Sequence, residues 1–360
     1  MLFSYLCFVN IFEENKNKNT RVESLGEFGL IDYLTKDIKL ENKNSIFGIG
    51  DDAAVMDMGE FYQLASMDVL TEGVHFNLAY TPLKHLGYKS VAVNVSDICA
   101  MNGDAKQIIV GLAMSNRFTV ESIEELYEGI KLACKDYGID LVGGDTTSST
   151  SGLTISITVL GKVAKDKIVY RSGAQINDLV VCTGDLGAAY LGLQLLNREN
   201  TIFKDNPKIQ PDLSGNDYVL KRQLKPDAPV KYIEILKELE IIPTSMIDVS
   251  DGISSEVLHI SKSSSVGITI HEDKIPIDYT AMNLANEFNI NPIVCALNGG
   301  EDYELLFTVS QSHYEKLKKD PDFTIIGFVT DPSEGNNFIA KDASVHPLKA
   351  QGWDAMRLEE

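Results

Sequence analysis

No apolar run in the sequence reaches the roughly 18–20 residues that a membrane-crossing helix needs. There is no C-x-x-C pair. The five cysteines (Cys7, Cys99, Cys134, Cys182 and Cys295) lie far apart, and six histidines show no zinc-finger spacing. That argues against a structural zinc module or a disulfide framework and for a reduced, cytoplasmic setting. Positive charge is scarce: 32 Lys+Arg stand against 52 Asp+Glu, a formal net charge of −20. Such a chain repels polyphosphate backbones and anionic bilayers, so neither nucleic acid nor a membrane is expected as partner. The phosphate-binding patterns G-x-x-x-x-G-K-[ST] and G-x-G-x-x-G are missing, as are the H-R-D and D-F-G kinase signatures and the G-x-S-x-G elbow. A nucleotide, if used, must sit on another scaffold.

What is present is a globular composition over 360 residues, enough for two domains. Met1–Phe12 is apolar but too short to span a bilayer. It lacks the basic start and small-residue cleavage site of a signal peptide, and Glu13–Glu23 behind it is polar. Residues 1–23 read as a disordered or appended extension. Behind them, helical and strand periodicities alternate. Helices are expected over Gly26–Leu34, Leu83–Met101, Ser122–Tyr137, Leu186–Leu196, Val230–Leu239 and Ile253–Lys262, with shorter ones near Ala281–Phe288 and Ser312–Lys318. Leu153–Val163 alternates apolar and polar residues, as a strand with unlike faces does. Asn197–Asp217, polar and carrying Pro207, Pro211 and Gly215, reads as a long loop. A boundary near 165–178 divides an N-terminal α/β domain, 24–170, from a C-terminal one, 171–360. The fold class is α/β with mixed sheets.

The chemistry is carried by aspartates beside glycine or serine. They are Gly50-Asp51-Asp52, Ser66-Met67-Asp68, Asn94-Val95-Ser96-Asp97, Gly143-Gly144-Asp145 and Asp248-Val249-Ser250-Asp251-Gly252, with Gly299-Gly300-Glu301-Asp302 as a further acidic turn. Each alone is ordinary turn or capping chemistry. Together they are too many like charges to converge without compensation. Hard divalent cations compensate carboxylates, and Mg²⁺ joins a few carboxylates to substrate phosphates. No EF-hand spacing favours calcium. Asn94 and Asp97, three apart on an expected helix, share a face.

These segments together resemble the thiamine-monophosphate kinase family of the aminoimidazole-ribonucleotide synthetase superfamily. The likeness rests on Phe47–Val55, Ser66–Phe76, Gly87–Met101, Leu141–Thr147, Arg171–Ala174, Ile247–Gly252, Asn298–Leu305 and Gly352-Trp353-Asp354. The resemblance implies two α/β domains, with N-terminal sheets of two chains pairing into a barrel in a homodimer. It implies ATP as co-substrate, several Mg²⁺ ions, and direct transfer of a phosphoryl group to thiamine monophosphate with no covalent nucleophile. Asp52, Ser66, Met67, Asp68, Asp97, Asp145, Asp248 and Asp251 would hold metal. Met67, where the family often has Thr, could do so through its carbonyl. Tyr127, Gly144, Asp145, Arg171 and Ser250 would contact ATP. His75, Glu301 and Trp353 would hold thiamine monophosphate. As a helical aromatic, Tyr127 reads equally as core, and Trp353 equally as a plug under the C-terminus.

Two other readings remain at this point. One is a different ATP-using superfamily member, such as an aminoimidazole-ribonucleotide synthetase; the selenophosphate and hydrogenase-maturation relatives are disfavoured because the cysteine each needs is missing from its place. The other is an acidic metal-binding protein that is not an enzyme.

Overall fold

The structure, a computed structural model, describes residues 22–351. Contacts divide the chain into a small unit, described over residues 22–39, and a large unit, described over 40–351. The small unit carries helix α1 (Gly26–Thr35), closed by Lys36 N–H donating to the Asp32 carbonyl.

The described residues of the large unit form two mixed sheets. The first uses β1 (Ser45–Phe47), β2 (Ala54–Asp57), β3 (Tyr62–Thr71), β4 (Asp104–Met114), β5 (Asp140–Ser148) and β6 (Leu153–Val163), in the order β1-β2-β3-β6-β4-β5. All neighbours are antiparallel except β4 and β5. On β6, Leu153, Ile155, Ile157 and Val159 are buried while Thr154, Ser156 and Thr158 are less so, which realises the period-two pattern of the sequence. The buried face carries α2 (Leu83–Ala100), which in turn packs on α3 (Val120–Tyr137). The opposite face exposes Met67, Val69 and Ile109.

The second sheet uses β7 (Leu179–Thr183), β8 (Ser245–Asp248), β9 (Gly267–His271), β10 (Leu305–Val309), β11 (Phe323–Thr330), β12 (Asn336–Ile339) and β13 (Val345–Pro347). Their order is β13-β12-β9-β11-β7-β10-β8, with only β9 and β12 parallel. Helices α4 (Ala188–Asp205), α5 (Asp217–Leu224), α6 (Val230–Glu238), α7 (Ile253–Ser264), α8 (Tyr279–Glu287) and α9 (Pro292–Asn298) accompany it.

Helix α2 is the centre of the large unit. Its residues are buried on every side, from Leu86 to Ala100 with Asp97 only partly so, because it touches β3, β4 and β6 on one side and β8 and α6 on another. One apolar core accordingly runs from Val55, Ile108 and Ile157 of the first sheet to Val181, Met246 and Phe307 of the second. Two glycines let α3 approach α2. A Cβ on Gly87 would lie 2.0 Å from the Leu126 carbonyl oxygen, and one on Gly129 would lie 1.9 Å from that of Lys84. The backbones therefore touch directly at a reciprocal crossing.

Two expectations need correction. Asn197–Asp217 is not a loop throughout: α4 continues to Asp205, and α5 begins at Asp217. The extension is held by a buried polar residue, Glu199, which accepts from Asp212 N–H at 2.9 Å and pairs with Arg198 at 3.0 Å. A hydrophobic stripe cannot reveal that contact. Gly143-Gly144-Asp145 is not a turn either. It lies inside β5, kept extended by its ladder with β4 despite poor strand-forming residues. Gly144 must be glycine there, because a Cβ would stand 2.2 Å from the Val110 carbonyl oxygen.

Replacing Gly129 with alanine forces the crossing apart. The expected cost is about 1–3 kcal/mol of stability, read as a lowered denaturant midpoint with unchanged slope. An unshifted midpoint would show that the contact is not required.

Candidate active site

Four stretches far apart in sequence bring carboxylates to one place. Asp52 comes from the turn before β2, Asp68 from β3, Asp97 from α2 and Asp248 from the end of β8. One oxygen each of Asp52, Asp97 and Asp248 lie within 4.8 Å of one another. The register across the sheet explains the aim of β3. Asp68, Ile157, Val110 and Gly144 form one transverse row, and Ser66 begins the next on the same buried face. Asn94 and Asp97 meet this face from α2, as their spacing predicts. Asn94 Oδ1 accepts from Asp68 N–H at 3.0 Å, and Asp97 Oδ2 accepts from Ser66 Oγ–H at 2.5 Å. Strand β2 stops pairing at Ala65, so the Asn94 amide takes over where the ladder ends.

Burial sets the electrostatics. It pushes the Asp68 carboxyl up to about 6 and the Asp248 carboxyl up to about 7. Asp97 lies well above the ordinary carboxylate range, raised by burial and then by the charges of Asp68, Asp248 and Asp52. Asp52 is also raised by burial, against the pull of Arg171. The guanidinium of Arg171 donates to Asp52 Oδ1 from Nη2 at 2.6 Å and from Nε at 3.2 Å. Asp51, raised to about 7 by burial and then by Asp52, accepts from the Arg171 backbone N–H at 3.1 Å. The other oxygen of Asp52, Oδ2, is buried with no hydrogen-bond partner. A buried carboxylate oxygen so placed lacks a cation or donor. Three convergent hard oxygens fit a divalent cation such as Mg²⁺.

The remaining expected residues are placed as follows. Met67 turns its side chain to the outer face, 58% exposed, so only its backbone could serve a metal on the buried side. Asp145 shares a row with Gly111, Ser156 and Val69 on the outer face, three strands from β3 and away from the cluster within this chain. Asp251 follows Asp248 in the turn leading to α7, its N–H held by Glu256 Oε1 at 2.9 Å. Ser250 offers its carbonyl to the Glu301 N–H at 2.7 Å, which ties the 299–304 loop to this turn. Tyr127 lines a cavity of about 450 Å³ with Phe118, Thr119, Ile123, Glu124 and Lys131. His75 accepts from Thr71 N–H at Nδ1, 3.0 Å, so its neutral ring carries the proton on Nε2. Trp353 lies outside the described residues.

Several residues at the site were not singled out from the sequence. Ser96 Oγ–H donates to Asp248 Oδ2 at 2.6 Å, joining α2 to β8. Arg222 and Gln223 sit on α5, a helix the sequence pattern does not show. Lys89 is buried on α2. A signal for Lys89 exists: it and Asp97 are the charged residues of Gly87–Met101, eight apart and hence on adjoining faces of one apolar helix.

Residues 50–163 match the family described as AIR synthase related protein, N-terminal domain. Over 339 residues the chain is 34% identical to the thiamine-monophosphate kinase of Bacillus subtilis (strain 168), covering 92% of this chain and 99% of that protein. The thiamine-monophosphate kinase of Aquifex aeolicus (strain VF5) is 34% identical over 333 residues, with the same coverage. Among solved structures, "AaThiL complexed with AMPPCP and TMP" superposes with a TM-score of 0.79 at 32% identity, covering 94% of this chain and 99% of that one. A hydrogenase maturation protein HypE in complex with ATP, 17% identical with a TM-score of 0.63, shares the fold.

The raised carboxyls predict a linkage. Unfolded aspartates titrate near 4, whereas Asp68 and Asp248 hold protons to about 6 and 7. The metal-free fold therefore binds more protons than the unfolded chain and loses stability as pH rises from about 4 through about 7. A divalent cation displaces those protons, so its affinity rises with pH over the same window. Calorimetric titration of Mg²⁺ at pH 6.5 in two buffers of unlike ionisation enthalpy should show proton release, and melting curves should show the larger Mg²⁺ stabilisation at pH 8. Equal apparent enthalpies in both buffers would refute the linkage.

Proposed function

The chain belongs to the thiamine-monophosphate kinase family, and we propose that it carries out the reaction of that name. The γ-phosphoryl group of ATP passes to the phosphate of thiamine monophosphate, giving thiamine diphosphate and ADP. The observation that carries this reading is the convergence of Asp52, Asp97 and Asp248 on one point, beside the orphaned Asp52 Oδ2. It is joined by close likeness over nearly the whole chain to named kinases and to a structure holding an ATP analogue and TMP.

Asp52, Asp68, Asp97 and Asp248 would hold Mg²⁺, with Ser66, the Met67 backbone and Asp251 at the margin of the site. When bound, Mg²⁺ would neutralise the charge of donor and acceptor phosphates. The rest of the work falls to the chain. Ser66 and Ser96 hold Asp97 and Asp248 in place by hydrogen bonds. Arg171 fixes Asp52, and its fork is the cation of the site best shaped for a phosphate. Arg171 and Ser250 would meet ATP phosphates. The cavity lined by Tyr127 and Phe118 suits a flat base, and Gly144 would meet ATP through its backbone. His75 presents an Nε2–H donor, and Glu301 an acceptor, to thiamine monophosphate, with Trp353 a further contact. Positioning and charge neutralisation suffice for direct transfer without a protein nucleophile.

We further propose a homodimer. Strand β5 is an uncovered edge, and Met67, Val69 and Ile109 make an exposed apolar face beside it. Pairing that face with a second copy would close the barrel and give Asp145 a neighbouring chain to serve. The division into domains 24–170 and 171–360 is retained on this reading, the first carrying the sheet that pairs. Among the described residues no helix is long and apolar enough to cross a membrane. A cytoplasmic setting follows from the reaction proposed.

A coupled ADP-release assay with ATP, Mg²⁺ and thiamine monophosphate tests the reading, run beside thiamine and aminoimidazole precursors. ADP release that depends on thiamine monophosphate and yields thiamine diphosphate is expected; release with another acceptor alone would reassign the substrate. Asp97→Asn should keep the fold and lower kcat about a thousandfold, equivalent to about 4 kcal/mol of barrier. Near-normal turnover in a folded Asp97→Asn protein would remove Asp97 from the metal site.

A further inference from the structure

Beside α2 lies a second polar cluster, built on Glu301, in which Lys89 and Gln223 have as yet no assigned role. Glu301 stands in it at φ +58°, in the left-handed region, and Tyr303 follows at φ +51°. The loop is held there because Glu301 N–H donates to the Ser250 carbonyl and Tyr303 N–H to the Val249 carbonyl. Both oxygens of the Glu301 carboxylate are then engaged by side chains from other helices. Lys89 Nζ, on α2 and 4% exposed, lies 2.8 Å from Oε1. Gln223 Nε2, on α5, donates to Oε2 at 2.8 Å. Lys89 also donates to the Gln223 carbonyl at 3.1 Å, closing a three-residue ring. Next in sequence, Arg222 grips the loop's other end, donating to Glu304 Oε1 at 2.6 Å and to the Asp302 carbonyl at 3.1 Å.

One atom of this ring is left over. Gln223 Oε1 is buried and has no hydrogen-bond partner, although Gln223 is only 5% exposed. Beside it, each Glu301 oxygen keeps a second lone pair. A salt-bridged carboxylate and an orphaned amide oxygen side by side form an acceptor pair of fixed geometry. The group that completes such a pair is a donor with two hydrogens, an amine. The pyrimidine ring of thiamine monophosphate carries one.

We infer that Lys89 and Gln223 are positioning residues that hold Glu301 to receive the exocyclic amine of the acceptor's pyrimidine ring. The inference rests on the reading of Glu301 as an acceptor-site residue. Lys89 aims the carboxylate, and Gln223 supplies the second acceptor. A site built to bond an amine rejects the analogue lacking it, because its acceptors stay unpaired.

The test uses thiamine monophosphate and its 4-oxo analogue, in which oxygen replaces that amine, with wild type and the variants Lys89→Met, Gln223→Leu and Glu301→Gln. Wild type should prefer the amine in kcat/KM by about 100-fold or more. Lys89→Met and Gln223→Leu should each cut that preference by about tenfold and raise KM for thiamine monophosphate, with KM for ATP within about twofold of wild type. A merely structural role would lower both substrates' kcat/KM alike and leave the ratio intact. Should Lys89→Met fail to fold, Gln223→Leu carries the same test, since it leaves no charge unpaired. An unchanged ratio in folded Gln223→Leu, with the ratio lost in Glu301→Gln, overturns the inference and spares the acceptor-site reading. An unchanged ratio and unchanged KM in Glu301→Gln overturns both.

Discussion

The constraint on which the structure turns is the crowding of negative charge. Asp52, Asp97 and Asp248 bring oxygens within 4.8 Å of one another, with Asp68 close enough to raise Asp97 further. Bare carboxylates at that distance in a poorly hydrated site cannot all stay ionised. The fold answers in three ways. Arg171 pairs with Asp52, serine hydroxyls donate to Asp97 and Asp248, and the remaining charge is taken up as protons. Each is a partial answer, as the partnerless Asp52 Oδ2 records. The metal-free arrangement is therefore a loaded one, stabilised by whatever brings positive charge.

Such a cluster needs a rigid frame, because small shifts between like charges change their interaction steeply. Helix α2 provides it. The helix is buried between the two sheets and bound to α3 by a glycine-to-backbone crossing that admits no side chain. Along one helix it carries Lys89 at the Glu301 loop, Asn94 at the β3 backbone, Ser96 at Asp248 and Asp97 in the cluster. The proposed acceptor site and the proposed metal site are thus built on one rod. The distance between them is set by helical rise rather than by loops.

The same layout explains why familiar phosphate-binding signatures are dispensable. A glycine-rich loop cradles phosphates with backbone N–H groups and a lysine. On the proposed reading the acidic cluster would reach phosphate by way of divalent cations, so the residues required are aspartates on strand, turn and helix. Glycines recur where chains approach closely, as at Gly144 against β4 and Gly300 against Ser250, not as a phosphate cradle.

Much of this was legible in the chain itself. The period-two run Leu153–Val163 became the central strand β6 over those very residues. The spacing of Asn94 and Asp97 put both on the β3-facing side of α2. Local periodicity decides such features, because a strand or helix repeats its own geometry whatever it later packs against. The rest depended on contacts between distant segments. Gly143-Gly144-Asp145 looks like a turn, and only the β4 ladder makes it a strand and sends Asp145 to the outer face. Helix α5 shows no hydrophobic stripe long enough to announce it, yet it brings Gln223 to Glu301 across 78 positions of sequence. The aspartates were visible as residues from the start. Which of them converge was decided only in three dimensions, because repulsion between carboxylates has meaning only once the fold has set their distances.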